Sequence, residues 1–274
     1  MLFRSVKALV KVASSLSYNL EMDFATILDA TAERHPERVA FSVAGQHFTF
    51  AEFQNRVARM ADGLVRLGLA PGDRVATLLP NGIDLATLLF AITRVELIAV
   101  PIMPRFGPAQ VEYALRHSGA RTLVSTSSLL ASLSGDALQS LDSTITTEPT
   151  SDAISLSELL AGPPCPPRRT SRDSIGLIVY TSGTTSRPKG VAHSQHRMAR
   201  RTTLFTEEMN LTRDDVTITL GDLGRPIVLL GQLLTMISVG GRVILLPNAK
   251  PTSFWAAYAT DRPTYLISGP GLAL

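Results

Sequence analysis

Cysteine, lysine and long apolar runs are what this 274-residue chain has least of. Cys165 is its one cysteine, so no internal disulfide can form and no thiol cluster can hold a metal. That usage fits a reducing compartment, and a cytoplasmic location is expected. The five histidines are dispersed, which leaves no ligand spacing for a metal centre. No stretch reaches the roughly 18 apolar residues of a membrane span. The nearest, Ile227 to Val239, is too short and contains Gln232, and it reads as a buried helix. A net charge of +3 with scattered arginines builds no basic face, so nucleic acid is not an expected partner. Only four of the 26 basic residues are lysines, and Lys189 stands alone between Lys11 and Lys250.

What surrounds Lys189 is the most informative stretch. The apolar run Ile175 to Tyr180 stops in Thr181-Ser-Gly-Thr-Thr-Ser-Arg-Pro-Lys189. Such a loop suits phosphate. Gly183 lets the backbone approach an anion, Thr181, Ser182, Thr184, Thr185 and Ser186 offer hydroxyl donors, and Lys189 supplies charge. A Walker-type loop would place Gly-Lys-Ser/Thr at the start of a helix. Here Pro188 precedes the lysine and Gly190 follows it, so helix-dipole geometry is not expected. The competing reading is a hydroxyl-rich surface loop, and composition alone would favour it.

The order Tyr180-Thr-Ser-Gly-Thr-Thr-Ser-Arg-Pro-Lys-Gly190 resembles the phosphate-binding signature of the adenylate-forming enzymes, which include acyl-CoA synthetases and peptide-synthetase adenylation domains. Ser186 stands where that family usually has Gly. Looser similarities run from about residue 23 to the end. They include His35-Pro-Glu-Arg-Val-Ala-Phe41, Phe48-Thr-Phe-Ala-Glu52, Gly68-Leu-Ala-Pro-Gly-Asp-Arg-Val-Ala76, Gly240-Gly-Arg-Val-Ile-Leu-Leu-Pro247 and Arg262-Pro-Thr-Tyr265. The resemblance implies that Thr181, Ser182, Gly183, Thr184, Thr185, Ser186 and Lys189 hold the β- and γ-phosphates of ATP, with Mg2+ bridging them. It implies a carboxylic acid substrate, activated as an acyl-adenylate, and CoA or a carrier thiol as acceptor. No catalytic residue or metal ligand is assigned within this chain.

Periodicity yields an α/β fold of parallel sheets flanked by helices, and the resemblance implies an incomplete N-terminal domain of the adenylate-forming fold. Residues 1–22 form a basic amphipathic extension with Arg4, Lys7 and Lys11 on one stripe. It suits a terminal helix on the domain, with a transit peptide or membrane-surface helix as less favoured alternatives. Residues 23–161 form a first α/β portion, with a capping box at Thr49 and Glu52 and helices at Ile83 to Arg94 and Pro108 to Ser118. Residues 162–174 are a Pro-rich connector, expected to be exposed, with Cys165 a mobile loop thiol. Residues 175–274 form the truncated phosphate-loop portion. Its expected elements include a helix from Ser194 to Met209 with Arg197, Arg200 and Arg201 outward, and a last strand at Tyr265 to Ile267.

Three departures from the family pattern qualify the expectation. Glu96 stands at a usual glycine, so its charge needs a partner or an exit to solvent. Gly221-Asp-Leu-Gly-Arg-Pro226 replaces the aromatic stretch bordering the acyl pocket, and a turn with Asp222 or Arg225 facing water is the favoured reading over a substrate contact. The later motifs that contact adenine and ribose, and the C-terminal lysine, have no counterpart. The alternative is therefore a truncated or split, non-catalytic protein that needs a separate C-terminal half.

Overall fold

The computed structural model describes residues 24–168, 173–181, 188–247 and 250–267. The amphipathic extension and residues 182–187 of the phosphate motif lie outside them.

Two sheets carry the fold. A seven-stranded sheet has the order β7-β6-β5-β3-β4-β8-β9 and a four-stranded sheet the order β10-β11-β1-β2. The strands are β1 Val39–Val43, β2 Gln46–Thr49, β3 Arg74–Leu78, β4 Ile98–Pro101, β5 Thr122–Ser125, β6 Ser143–Thr146, β7 Ile154–Ser155, β8 Ile175–Thr181, β9 Lys189–Ser194, β10 Val216–Thr219 and β11 Arg242–Leu245. Each sheet is parallel except at one end, where β2 pairs antiparallel with β1 and β9 with β8. The sheets are thus mixed, which corrects the expectation of parallel sheets at these two edges. Sheet membership also crosses the connector. β1 pairs with β11 in the register Phe41↔Val243, and β4 pairs with β8 at Ala99↔Leu177.

Strand alternation sorts the core into layers. Val75, Ala99, Leu177 and Val179 face inward, towards the helices Phe24–Arg34, Phe50–Arg66 and Ile83–Arg94 that lie between the sheets. Phe41 of the smaller sheet meets Phe53 at 4.5 Å between ring centroids, and Phe53 meets Phe90 edge-on at 5.6 Å. Each of these fully buried rings contributes about 1.5–3 kcal/mol by leaving water. Ala76, Leu78, Val100, Ile102 and Tyr180 face the opposite way, against the helix Pro108–Ser118. On the outer face of the smaller sheet, Ile218 and Ile244 pack on Phe254 of the helix Pro251–Asp261.

Local chemistry explains most boundaries. Thr49 and Glu52 close the expected capping box, with the Thr49 oxygen accepting from the Glu52 amide at 3.2 Å and the Glu52 carboxylate from the Thr49 amide at 2.8 Å. The helix Gln195–Met209 begins one residue later than expected because Ser194 is its N-cap. Its Arg197, Arg200 and Arg201 are exposed, as their spacing requires. The buried helix from Pro226 to Val239 is interrupted by a π segment at Leu229–Leu234, where Gln232 turns inward and donates to the Thr217 hydroxyl and the Ile218 carbonyl.

Two local expectations change. The last strand is reduced to a single parallel bridge, Thr217↔Tyr265. The connector is exposed at Pro163, Pro164 and Pro166, as expected, but Cys165 within it is anchored. Arg59 donates to the Gly162 carbonyl at 2.8 Å, the Cys165 amide to Ala58 at 3.1 Å, and Arg94 to the Cys165 carbonyl at 3.1 Å. Cys165 is accordingly half-buried against the core, and burial pushes its thiol up, so it is a packed thiol without nucleophile activation. Arg94 is held in turn by both oxygens of Asp29 at 2.7 Å. Glu96 is half-exposed and so reaches solvent. Its φ of +63° shows why the family favours glycine there.

Candidate functional site

The phosphate motif sits on a β-hairpin. Ile175–Thr181 runs as β8 beside parallel β4, and its apolar residues Leu177, Val179 and Tyr180 are buried. The chain returns as antiparallel β9 from Lys189, with the pairs Val179↔Val191, Tyr180↔Gly190 and Thr181↔Lys189. Thr181 and Lys189 therefore face each other across the last rung, on one face of the hairpin, and both are exposed. No helix follows the lysine, so the arrangement differs from a Walker loop as expected. Ser182, Gly183, Thr184, Thr185 and Ser186 lie outside the described residues.

The rung before this one is packed tightly. A side chain at Gly190 would place its first carbon 3.2 Å from the Tyr180 ring and 3.3 Å from its hydroxyl. The Tyr180 hydroxyl lies 2.8 Å from His117 Nδ1, and the His117 ring stacks on Tyr113 with centroids 5.2 Å apart. Burial raises the Tyr180 phenol above its ordinary range, so the group stays protonated at neutral pH.

A second feature lies where the two sheets meet. Pro80 and Asn81 follow β3, Pro104 and Arg105 follow β4, Leu220 to Asp222 follow β10, and Pro247 follows β11. Together with Arg225 they line a cavity of about 370 Å³. Carboxyl ends of parallel strands are where open α/β sheets take ligands. Asn81 ties the sheets together. Its Nδ2 donates to the Gly221 carbonyl at 2.7 Å and its Oδ1 accepts from the Leu223 amide at 2.9 Å. Of the two turn residues expected to face water, Arg225 is exposed and Asp222 is half-buried. Burial pushes its carboxyl up, against the Gly224 amide, Arg105 and Arg225, which all pull it down.

Of the residues assigned to phosphate, the structure describes Thr181 and Lys189 and pairs them, while β9, the His117–Tyr180 contact and the two hydrogen bonds of Asn81 were not foreseen in the sequence. The one available signal for Asn81 was its place in a Pro-Asn-Gly turn directly after a strand. Among the described residues no group of three or more His, Cys, Asp or Glu could hold a metal ion, and no helix is long and apolar enough to cross a membrane.

Comparison with known proteins bears on the family and the fold. The profile of the AMP-binding enzyme family matches residues 28–273. A feruloyl-CoA synthase from Amycolatopsis sp is 30% identical over 243 residues, covering 87% of this chain and 47% of the relative. An oxalate–CoA ligase from Arabidopsis thaliana is 27% identical over 262 residues, covering 89% and 49%. The anthranilate CoA ligase AuaEII, solved with anthranoyl-AMP, superposes with a TM-score of 0.85 at 23% identity, over 90% of this chain and 49% of that one. The chain thus spans about half the length of the curated relatives it matches. The family match runs from Leu28 to Ala273, and the chain belongs to the AMP-binding enzymes, of which it carries the N-terminal part.

Proposed function

We propose that this chain supplies the polyphosphate-binding portion of an AMP-forming acid–thiol ligase. In this reading ATP enters with Mg2+, a carboxylic acid is activated as its adenylate, and CoA or a carrier thiol accepts the acyl group. The observation that carries the proposal is the Thr181↔Lys189 rung at the carboxyl end of a parallel strand, closing a seven-residue segment in which five residues are small or hydroxylated. Lys189 would offset phosphate charge, and Thr181 with Ser182, Thr184, Thr185 and Ser186 would donate hydrogen bonds. Gly183 would let the backbone come close. Magnesium would neutralise the oxygens that one ammonium leaves uncovered. The contribution of these residues is positioning and electrostatic preorganisation, with no covalent step assigned to them.

A second reading has the site completed by a further polypeptide segment, with this chain inactive alone. Supporting it are the half-length match to relatives and an exposed apolar patch. Trp255 and Tyr258 are 53% and 46% exposed and in ring contact, on the helix that packs against β10 at the end of its sheet. Surfaces of this kind mark interaction sites.

ATP–pyrophosphate exchange, run beside calorimetric titration with MgATP, tests both. Carboxylate-dependent exchange that Lys189→Ala abolishes supports a chain acting alone. Nucleotide binding without exchange, weakened about tenfold or more by Lys189→Ala, supports the second reading. Wild-type chain that binds neither MgATP nor tripolyphosphate overturns the phosphate assignment itself.

A further inference from the structure

We infer that His117 and Tyr180 form a positioning pair that holds the Thr181–Lys189 rung in register, an inference that rests on the reading of this rung as a polyphosphate contact. β9 is the edge strand of its sheet, and Lys189 to Ala192 are exposed. An edge strand beside a long connection frays readily, because nothing pairs with its outer side. The Tyr180 side chain supplies what the missing neighbour does not. Side chains alternate between the faces of a strand, so Tyr180 points towards the helix Pro108–Ser118 while Thr181 points away from it. The phenol occupies the space that a side chain at residue 190 would need, which fixes the separation of β8 and β9 one residue before the rung.

The hydroxyl then anchors the hairpin to a firm support. It meets His117 Nδ1 at 2.8 Å, and Tyr113, one helical turn earlier, stacks under the imidazole. That helix is capped by Gln110, whose side chain accepts from the Gly107 amide at 3.2 Å, and by Gly119 in the left-handed conformation. Val111, Ala114 and Leu115 bury its inner face on the sheet. The path runs from a packed helix through His117 and Tyr180 to the residues flanking the phosphate motif. Neither His117 nor Tyr180 need touch the nucleotide; both are positioning residues.

Amide hydrogen exchange and calorimetric titration with tripolyphosphate, on the full chain, test the pair. Tyr180→Phe keeps the ring and removes the hydroxyl, His117→Ala removes the partner, and His117→Asn keeps a polar group within reach. Tyr180→Phe and His117→Ala should each speed exchange at Thr181, Lys189 and Gly190 about two- to tenfold, the range of one net hydrogen bond. Tripolyphosphate affinity should fall by a similar factor. The double variant should lose no more than either single one, His117→Asn should recover part of the loss, and exchange in β3 should stay unchanged. Unchanged exchange at the rung, in a chain that binds tripolyphosphate, overturns the pair and leaves the phosphate reading intact. A wild-type chain that ignores tripolyphosphate overturns the phosphate reading, and the role given to the pair falls with it.

Discussion

Each sheet of this protein ends in an antiparallel hairpin, and the two hairpins are built for different ends. In the smaller sheet, β1 and β2 are joined by Ala44 and Gly45 alone, with Val43 paired to Gln46. Both turn residues have positive φ, +48° and +81°, as the tightest hairpin turns require. In the larger sheet, seven residues separate Thr181 from Lys189. Nothing in the pairing of β8 and β9 demands such a length, since their register could be closed by two residues. A short turn at one edge only reverses the chain, while the long, hydroxyl-rich connection at the other is the one to which the phosphate contact is proposed.

Replacing residues 182–188 with Asn-Gly breaks the difference outright and has the largest expected effect. The hairpin should survive, because Tyr180↔Gly190 and the rungs before it are untouched. Binding of MgATP and tripolyphosphate should vanish from calorimetric titrations while the thermal midpoint changes little. Retained affinity would move the phosphate contact away from this hairpin.

A smaller effect is expected at Gly190, to be compared with Gln46, the exposed first residue of β2 in the short hairpin. Gly190→Val drives a branched side chain against the Tyr180 ring, where even a first carbon would stand at 3.2 Å. Crowding of this sort costs about 1–3 kcal/mol. Urea unfolding should register that loss for Gly190→Val, while Gln46→Val on the other hairpin should stay within about 0.5 kcal/mol of wild type.

The two hairpins also show what the sequence could disclose. The helices Ile83–Arg94 and Pro108–Ser118 were legible to the residue, because periodicity and caps are local. The stretch from Thr181 to Lys189 stood out through the order of its residues and its isolated lysine. The strand that follows did not. Lys189-Gly-Val-Ala-His-Ser194 has a glycine and no sustained alternation, and its strand character comes from pairing with β8. Contacts across long separations were equally hidden. His117 and Tyr180 are 63 residues apart, and Asn81 reaches Gly221 across 140. No pattern in either segment points at the other, so the cavity between the sheets emerged only from the fold.

The smallest predicted effect comes from the short hairpin itself. Ala44 is exposed and holds a φ that an L-residue with a Cβ adopts only at a cost of about 1–2 kcal/mol. Glycine relieves that cost and adds disorder to the unfolded chain, which takes back roughly 0.5–1 kcal/mol. Ala44→Gly should therefore stabilise the protein by about 0.5–1 kcal/mol, seen as a higher urea midpoint at unchanged slope. Because β2 lies at the far edge of the other sheet, MgATP affinity should not move. A gain in stability that came with altered nucleotide binding would mean that the two hairpins are coupled through the helices between the sheets, and that the short one does more than reverse the chain.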